Sequence, residues 1–209
     1  MDSELGLRER KKRQTRQLIS DVASGLFVRR GFDAVTVTEV AAAAGVSPKT
    51  VFNYFPRKED LFLDRLEELT GLLTAAVRDR APGVGVLAAV RALVLDLLAR
   101  RHPMSGYAEP SYVHFWGVVT GSPALLARVR EYVQELEELL AGLLAAERGG
   151  PVGLRERFAA ATFVAAYRTV YLDSARRVFA GEDHEAVGAE MALLYGRAFD
   201  AAEQAAAAL

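Results

Sequence analysis

Apolar residues recur three and four apart along almost the whole chain, the spacing of one face of an α-helix. Leu18, Ile19, Val22, Ala23, Leu26 and Phe27 make a first stripe, with Arg29 and Arg30 suited to a helix C-terminus and Gly31 to end it. Thr36 then reads as an N-cap with Glu39 three residues on, a capping box, and Val35 and Val40 flank it as a hydrophobic staple. Val40, Ala41 and Ala44 give this short helix one apolar face. Gly45 supplies the positive φ of a sharp turn, and Val46 plugs that turn into the core. Ser47 caps a second short helix with Pro48 at its first position, and Val51 and Phe55 share its inward side.

From Lys58 the pattern predicts one long helix to about Arg80, buried through Leu61, Phe62, Leu66, Leu69 and Leu73. Ala81-Pro82-Gly83 breaks it, and a second amphipathic helix follows to about Arg101. His102 to Pro110 reads as a loop, and Ser111 to Thr120 as an aromatic segment ended by Gly121. Ser122 and Pro123 start a helix to about Glu147, and Arg148-Gly149-Gly150-Pro151 is a linker. Two further helices are predicted at about 153–180 and 184–207, separated by Gly181-Glu182-Asp183. No β-branched alternating run appears, so the expected fold class is all-α.

A short helix, a glycine turn and a second short helix match the helix-turn-helix of DNA readers. On the second helix, Pro48, Lys49, Thr50 and Asn53 can point outward. Asn pairs bidentately with adenine and Lys reaches guanine acceptors or phosphate. Tyr54 can hydrogen-bond a phosphate, and Lys58 arrives near the next helix start, where phosphate is also favoured. The expected DNA-binding set is Thr36, Thr38, Ser47, Pro48, Lys49, Thr50, Asn53, Tyr54 and Lys58.

At these residues the chain resembles the TetR family of bacterial transcription regulators. The matching run holds Thr36, Val40, Ala41, Ala44-Gly45-Val46-Ser47, Thr50, Tyr54-Phe55, Lys58-Glu59 and Leu61, and extends back through Thr15-Arg16, Leu26-Phe27 and Gly31. It covers roughly the first 60 residues; beyond them only the length and the helical pattern agree. Phe52 stands where many relatives carry tyrosine, which removes one phosphate contact, and Arg57 stands where a serine often caps the next helix. The resemblance implies a three-helix DNA-binding domain over 1–57 and a helical effector-binding and dimerisation domain over 58–209.

Charge first looks wrong for a DNA binder, since the net value is −1. The first 60 residues, however, hold 11 Lys/Arg against 8 Asp/Glu, and residues 8–16 hold six Lys/Arg with only Glu9 opposed. That segment reads as phosphate attraction beside the helix-turn-helix. The absence of cysteine excludes disulfides, thiolate zinc sites and a cysteine nucleophile. No apolar run reaches membrane-spanning length and no secretory signal is present, so a cytoplasmic protein is expected. His102, His114 and His184 have no metal-ligand spacing, and no HExxH, GxSxG or P-loop is found. An enzyme is not expected, and neither is a metal or cofactor.

In the second domain, Phe163, Tyr167, Tyr171 and Ser174 fall on one stripe. With Tyr107, Tyr112, Phe115 and Trp116 they form the expected lining of an apolar effector pocket. On the last helix Val187, Met191, Leu194 and Ala198 make one stripe and Gly188, Ala192 and Gly196 a small-residue row. A surface helix needs one buried face, so a second suggests a partner copy. The expected homodimer interface is Gly188, Met191, Ala192, Tyr195 and Gly196. The resulting reading is a dimeric regulator, a repressor of a palindromic operator released by a small apolar or amphipathic molecule; the alternative is a DNA binder with no such effector.

Overall fold

The computed structural model describes residues 6–107 and 110–208, with side chains after the gap from His114 onward. Among these residues all regular structure is helical: α1 (Leu7–Arg30), α2 (Val37–Ala43), α3 (Pro48–Tyr54), α4 (Leu66–Arg78), α5 (Val86–Ala99), α6 (Pro110–Gly121), α7 (Pro123–Arg148), α8 (Leu154–Phe179) and α9 (His184–Ala207), with single 3-10 turns at Glu59–Leu61 and Pro103–Ser105. The chain forms two compact units, Met1–Asp64 with His114–Arg128, and Arg65–Val113 with Val129–Leu209.

The first unit is built on local signals. Thr36 accepts the Glu39 N–H while the Glu39 carboxylate accepts the Thr36 N–H at 2.8 Å, which completes the capping box. Val35 and Val40 beside it are fully buried, as a staple requires. Gly45 sits at φ 68° in the turn, and the Ser47 hydroxyl accepts the Thr50 N–H at 3.1 Å. Ile19, Ala23 and Phe27 form the buried side of α1, which packs on α2 as α2 packs on α3, and Phe27 lies edge-on to Phe62.

Two expectations change here. Helix α1 begins at Leu7, so the basic segment is regular helix, and Leu18 of the predicted stripe is 49% exposed. The long helix from Lys58 does not form: a 3-10 turn and a stretch through Arg65 precede α4. Leu61, Phe62 and Leu63 are all buried, and three consecutive residues cannot share one α-helical face. Lys58 through Asp64 therefore pack with the first unit, past the 57/58 boundary expected from sequence. Asp64 accepts from the Ser20 hydroxyl at 2.5 Å, and Asp60 pairs with Arg128 at 3.0 Å.

The second unit comprises α4, α5, α8, α9 and the greater part of α7. Its core joins Leu73 and Val77 to Val90, Val94 and Leu97, Leu136 and Leu140, Phe163, Met191, Tyr195 and Phe199. α8 and α9 pack extensively on each other, and Phe163 stacks on Phe199 at 4.3 Å between ring centres. The α7–α8 turn is fixed by Glu156, whose buried carboxylate accepts the Gly153 N–H at 2.8 Å and pairs with Arg148 at 3.1 Å.

Candidate DNA-reading surface and effector cavity

α1 and α3 border an open groove of about 760 Å³. Arg8, Lys11, Lys12 and Thr15 line it from α1, and Thr50, Asn53 and Tyr54 from α3. The spacing 8, 11, 12, 15 is one helical face, so α1 presents three cations to the same trough that α3 lines with an amide and two hydroxyls. Lys49, Pro48 and Ser47 are exposed on the first turn of α3, and Thr36 and Thr38 are exposed at the start of α2. Three hydroxyls of the predicted set are committed locally: Thr36 to Glu39 at 2.8 Å, and Ser47 and Thr50 to each other at 2.8 Å. Phe52 is 49% exposed on the same short helix.

Two cations that sequence placed toward phosphate point inward. The Lys58 amine donates to the Phe32 carbonyl at 2.6 Å and lies 4.1 Å from the Phe32 ring centre. Burial holds its pKa below the ordinary lysine value. Arg16 donates to the Tyr54 carbonyl at 2.8 Å and caps the Phe55 ring at 4.3 Å. Long side chains reach interior acceptors that residue spacing does not reveal. Lys58 thus ties the end of the reading motif to the chain after α1, while Arg16 fixes the end of α3 onto α1.

Of the predicted effector lining, Phe163 and Tyr167 border a cavity, with Leu73, Val94, Leu140 and Phe199 among the other walls. Its free volume is about 30 Å³, room for roughly two waters. Among the lining residues Tyr167 alone has a polar side-chain atom; that hydroxyl is turned out of the wholly apolar cavity surface and donates to the Met104 carbonyl. The remaining aromatics are elsewhere. Phe115 stacks on Phe62 at 5.0 Å and Trp116 meets Phe115 edge-on, all within the first unit. Tyr107 is buried against Gly188, and Tyr171 lies over Gly106. The side chain of Tyr112 lies outside the described residues. The aliphatic walls from α4, α5 and α7 went unpredicted because each reads from sequence as ordinary core.

The predicted dimer set also divides. Met191 and Tyr195 are wholly buried in their own subunit, and the Tyr195 hydroxyl donates to the Ser105 carbonyl at 2.7 Å. A Cβ on Gly188 would come 2.3 Å from the Tyr107 ring, so this glycine accommodates an intrachain contact. Of the small-residue row of α9, Gly188 is therefore covered by the chain's own Tyr107. Ala192 is exposed, and Gly196 is half-buried near Arg91. Open apolar surface lies instead on α8, at Leu154 (74% exposed), Phe158 and Phe179, and on α9 at Leu193 (59%). Leu154, Phe158, Ala161, Ala165, Leu172 and Phe179 share one helical stripe by their spacing. Among the described residues no acid–histidine cluster suited to a metal is present, and no helix is long and apolar enough to cross a membrane.

Comparison with known proteins agrees with the architecture. Residues 19–64 match the sequence profile described as bacterial regulatory proteins, tetR family. The chain is 31% identical over 169 residues to the HTH-type transcriptional regulator TcmR of Streptomyces glaucescens, covering 79% of this chain and 75% of that one. Its fold is similar to the SmeT–triclosan complex, with a TM-score of 0.58, 14% identity and coverage of 90% and 91%. It is similar also to NalD, the secondary repressor of the MexAB-OprM multidrug efflux pump in Pseudomonas aeruginosa, with a TM-score of 0.54, 21% identity and coverage of 91% and 96%.

Proposed function

This chain belongs to the TetR family of DNA-binding transcriptional regulators, and from that premise we propose a homodimeric repressor that a small apolar molecule releases from a palindromic operator. The supporting observation is the groove where the cations of α1 meet Thr50, Asn53 and Tyr54 of α3. One short recognition helix reads only a half-site, so two copies about 34–36 Å apart, or a multiple of that, are needed. The exposed Leu154, Phe158 and Phe179 of α8, with the half-buried Leu172 on the same stripe and with Leu193 and Ala192 of α9, supply a face on which two copies can meet.

In this reading Lys49 and Asn53 address base edges, and Arg8, Lys11, Lys12 and Tyr54 address phosphates. Lys58 is left out, because its amine is bound internally. The effector enters the hydrocarbon cavity beneath Phe163 and Tyr167. At about 30 Å³ that space must widen on binding, which gives a ligand a preference for a rearranged state. The solved SmeT complex, with triclosan bound to a protein of the same fold, is in keeping with an effector of this kind.

Selection of duplexes from a random library, followed by anisotropy titrations at several salt concentrations, tests the proposal. Two inverted half-sites and an affinity falling steeply with salt are expected. Enrichment of single, asymmetric sites would overturn the dimer reading.

A further inference from the structure

The connector between α5 and α6 is held in place by other elements. Three consecutive carbonyls accept hydroxyl protons from three side chains: Met104 from Tyr167, Ser105 from Tyr195 at 2.7 Å, and Gly106 from Ser174 at 2.6 Å. Tyr167 and Ser174 belong to α8 and Tyr195 to α9. Just before it, Arg101 occupies φ 53°, and it is the only non-glycine with positive φ among the described residues. It is fixed there by two hydrogen bonds of 2.7 Å to the Glu185 carboxylate. Gly106 sits at φ 79° under Tyr171, where a Cβ would come within 2.7 Å of the ring. A non-glycine in this region persists only when its surroundings hold it.

Tyr167 belongs to two structures at once. It clamps the connector, and it is the one hydroxyl-bearing side chain among hydrocarbon cavity walls. Burial, with Tyr195 and Tyr171 close by, raises its pKa well above the ordinary tyrosine value, so it stays a neutral donor. A phenol has one proton to donate, so it cannot serve the Met104 carbonyl and a ligand fully at the same time. The neighbouring hydroxyls are engaged: Tyr195 donates to Ser105, and Tyr132 to the Leu66 carbonyl. No lining side chain carries a charge to balance an ionic ligand.

Resting on the cavity reading above, we propose that the effector is an uncharged, mostly hydrocarbon molecule with one hydrogen-bond acceptor, and that it binds by drawing the Tyr167 hydroxyl away from the Met104 carbonyl. Among the described residues Tyr167 is the donor placed on that carbonyl, so once released it turns to water and the connector shifts toward solvent to reach it. A purely hydrocarbon ligand fills the same cavity and leaves the clamp closed.

Acetophenone and ethylbenzene test this, being alike in size with only the first bearing an acceptor. In calorimetric titrations of the full-length protein, Tyr167→Phe should weaken acetophenone by roughly three- to tenfold and change ethylbenzene by less than about twofold. In the wild type, saturating acetophenone should speed amide hydrogen exchange across residues 102–107 and ethylbenzene should not. Equal effects of Tyr167→Phe on both probes, or exchange unmoved by acetophenone, would overturn the proposal and leave the cavity standing. If neither probe binds the wild type, the cavity reading falls as well. The exchange measurement needs no variant, so it decides the matter even if Tyr167→Phe fails to fold.

Discussion

Lys58 and Arg16 are cations beside a DNA-reading helix, yet both point inward, and this sets what their substitution does. Lys58→Ala leaves the half-buried Phe32 carbonyl without its donor and should destabilise the protein by about 1–3 kcal/mol while leaving the salt slope of DNA binding unchanged. Lys11→Ala should do the reverse, lowering that slope by about one unit with little change in urea stability. Asn53→Ala should cost about 1–3 kcal/mol of operator affinity and relax preference at one base position; equal loss on every sequence would reassign Asn53 to the backbone. Glu39 gives a pH signature. Hydrogen bonds from the Thr36 backbone N–H and hydroxyl, then from Arg30, pull its carboxyl from 4.5 to about 2. Because the folded pKa is the lower one, this stabilisation is complete above pH 4.5 and fades as pH falls toward about 2. Acid unfolding followed by circular dichroism should therefore be shallower over that window in Glu39→Gln than in the wild type.

At the level of helices, what sequence reveals depends on how local the cause is. The Thr36–Glu39 box, Ser47-Pro48, Gly31 and Ser122-Pro123 act within four residues, and each bounds a helix where expected. The break before α4 was readable too, in the consecutive apolar residues Leu61, Phe62 and Leu63. What a face packs against is not local. Periodicity marks Met191 and Tyr195 as apolar but does not say whether the neighbour is the same chain or a second copy. Phe115 and Trp116 look like pocket aromatics until their partners are known, because the deciding contact, Phe62, lies more than fifty positions away. The exposed stripe of α8 makes the distinction testable. Phe158→Glu with Leu193→Glu should give folded monomers by sedimentation at micromolar concentration, since a desolvated charge opposes association. Met191→Ala should instead destabilise each subunit by about 2–5 kcal/mol with dimerisation otherwise retained. A stable dimer in the double glutamate variant would place the interface elsewhere.

Over the whole molecule, the proposed release mechanism requires that effector and operator compete through one equilibrium. A ligand that favours the widened cavity shifts the population only by its difference in affinity for the two states, a coupling of typically about 1–3 kcal/mol. Linkage requires that operator DNA weaken the ligand by the same factor. Titrating acetophenone into the free protein and into the protein–operator complex should therefore give affinities about 5- to 150-fold apart; identical values would separate the cavity from regulation. Trp116 packs within the first unit beside Phe115, so its fluorescence should follow DNA occupancy rather than cavity filling. The helical start of α1 bears on time rather than affinity. Arg8, Lys11 and Lys12 already stand in order on α1, so these three cations need not first become structured in order to dock. Stopped-flow association should then be a single phase that slows as salt screens the approach, while dissociation carries the discrimination between one sequence and another.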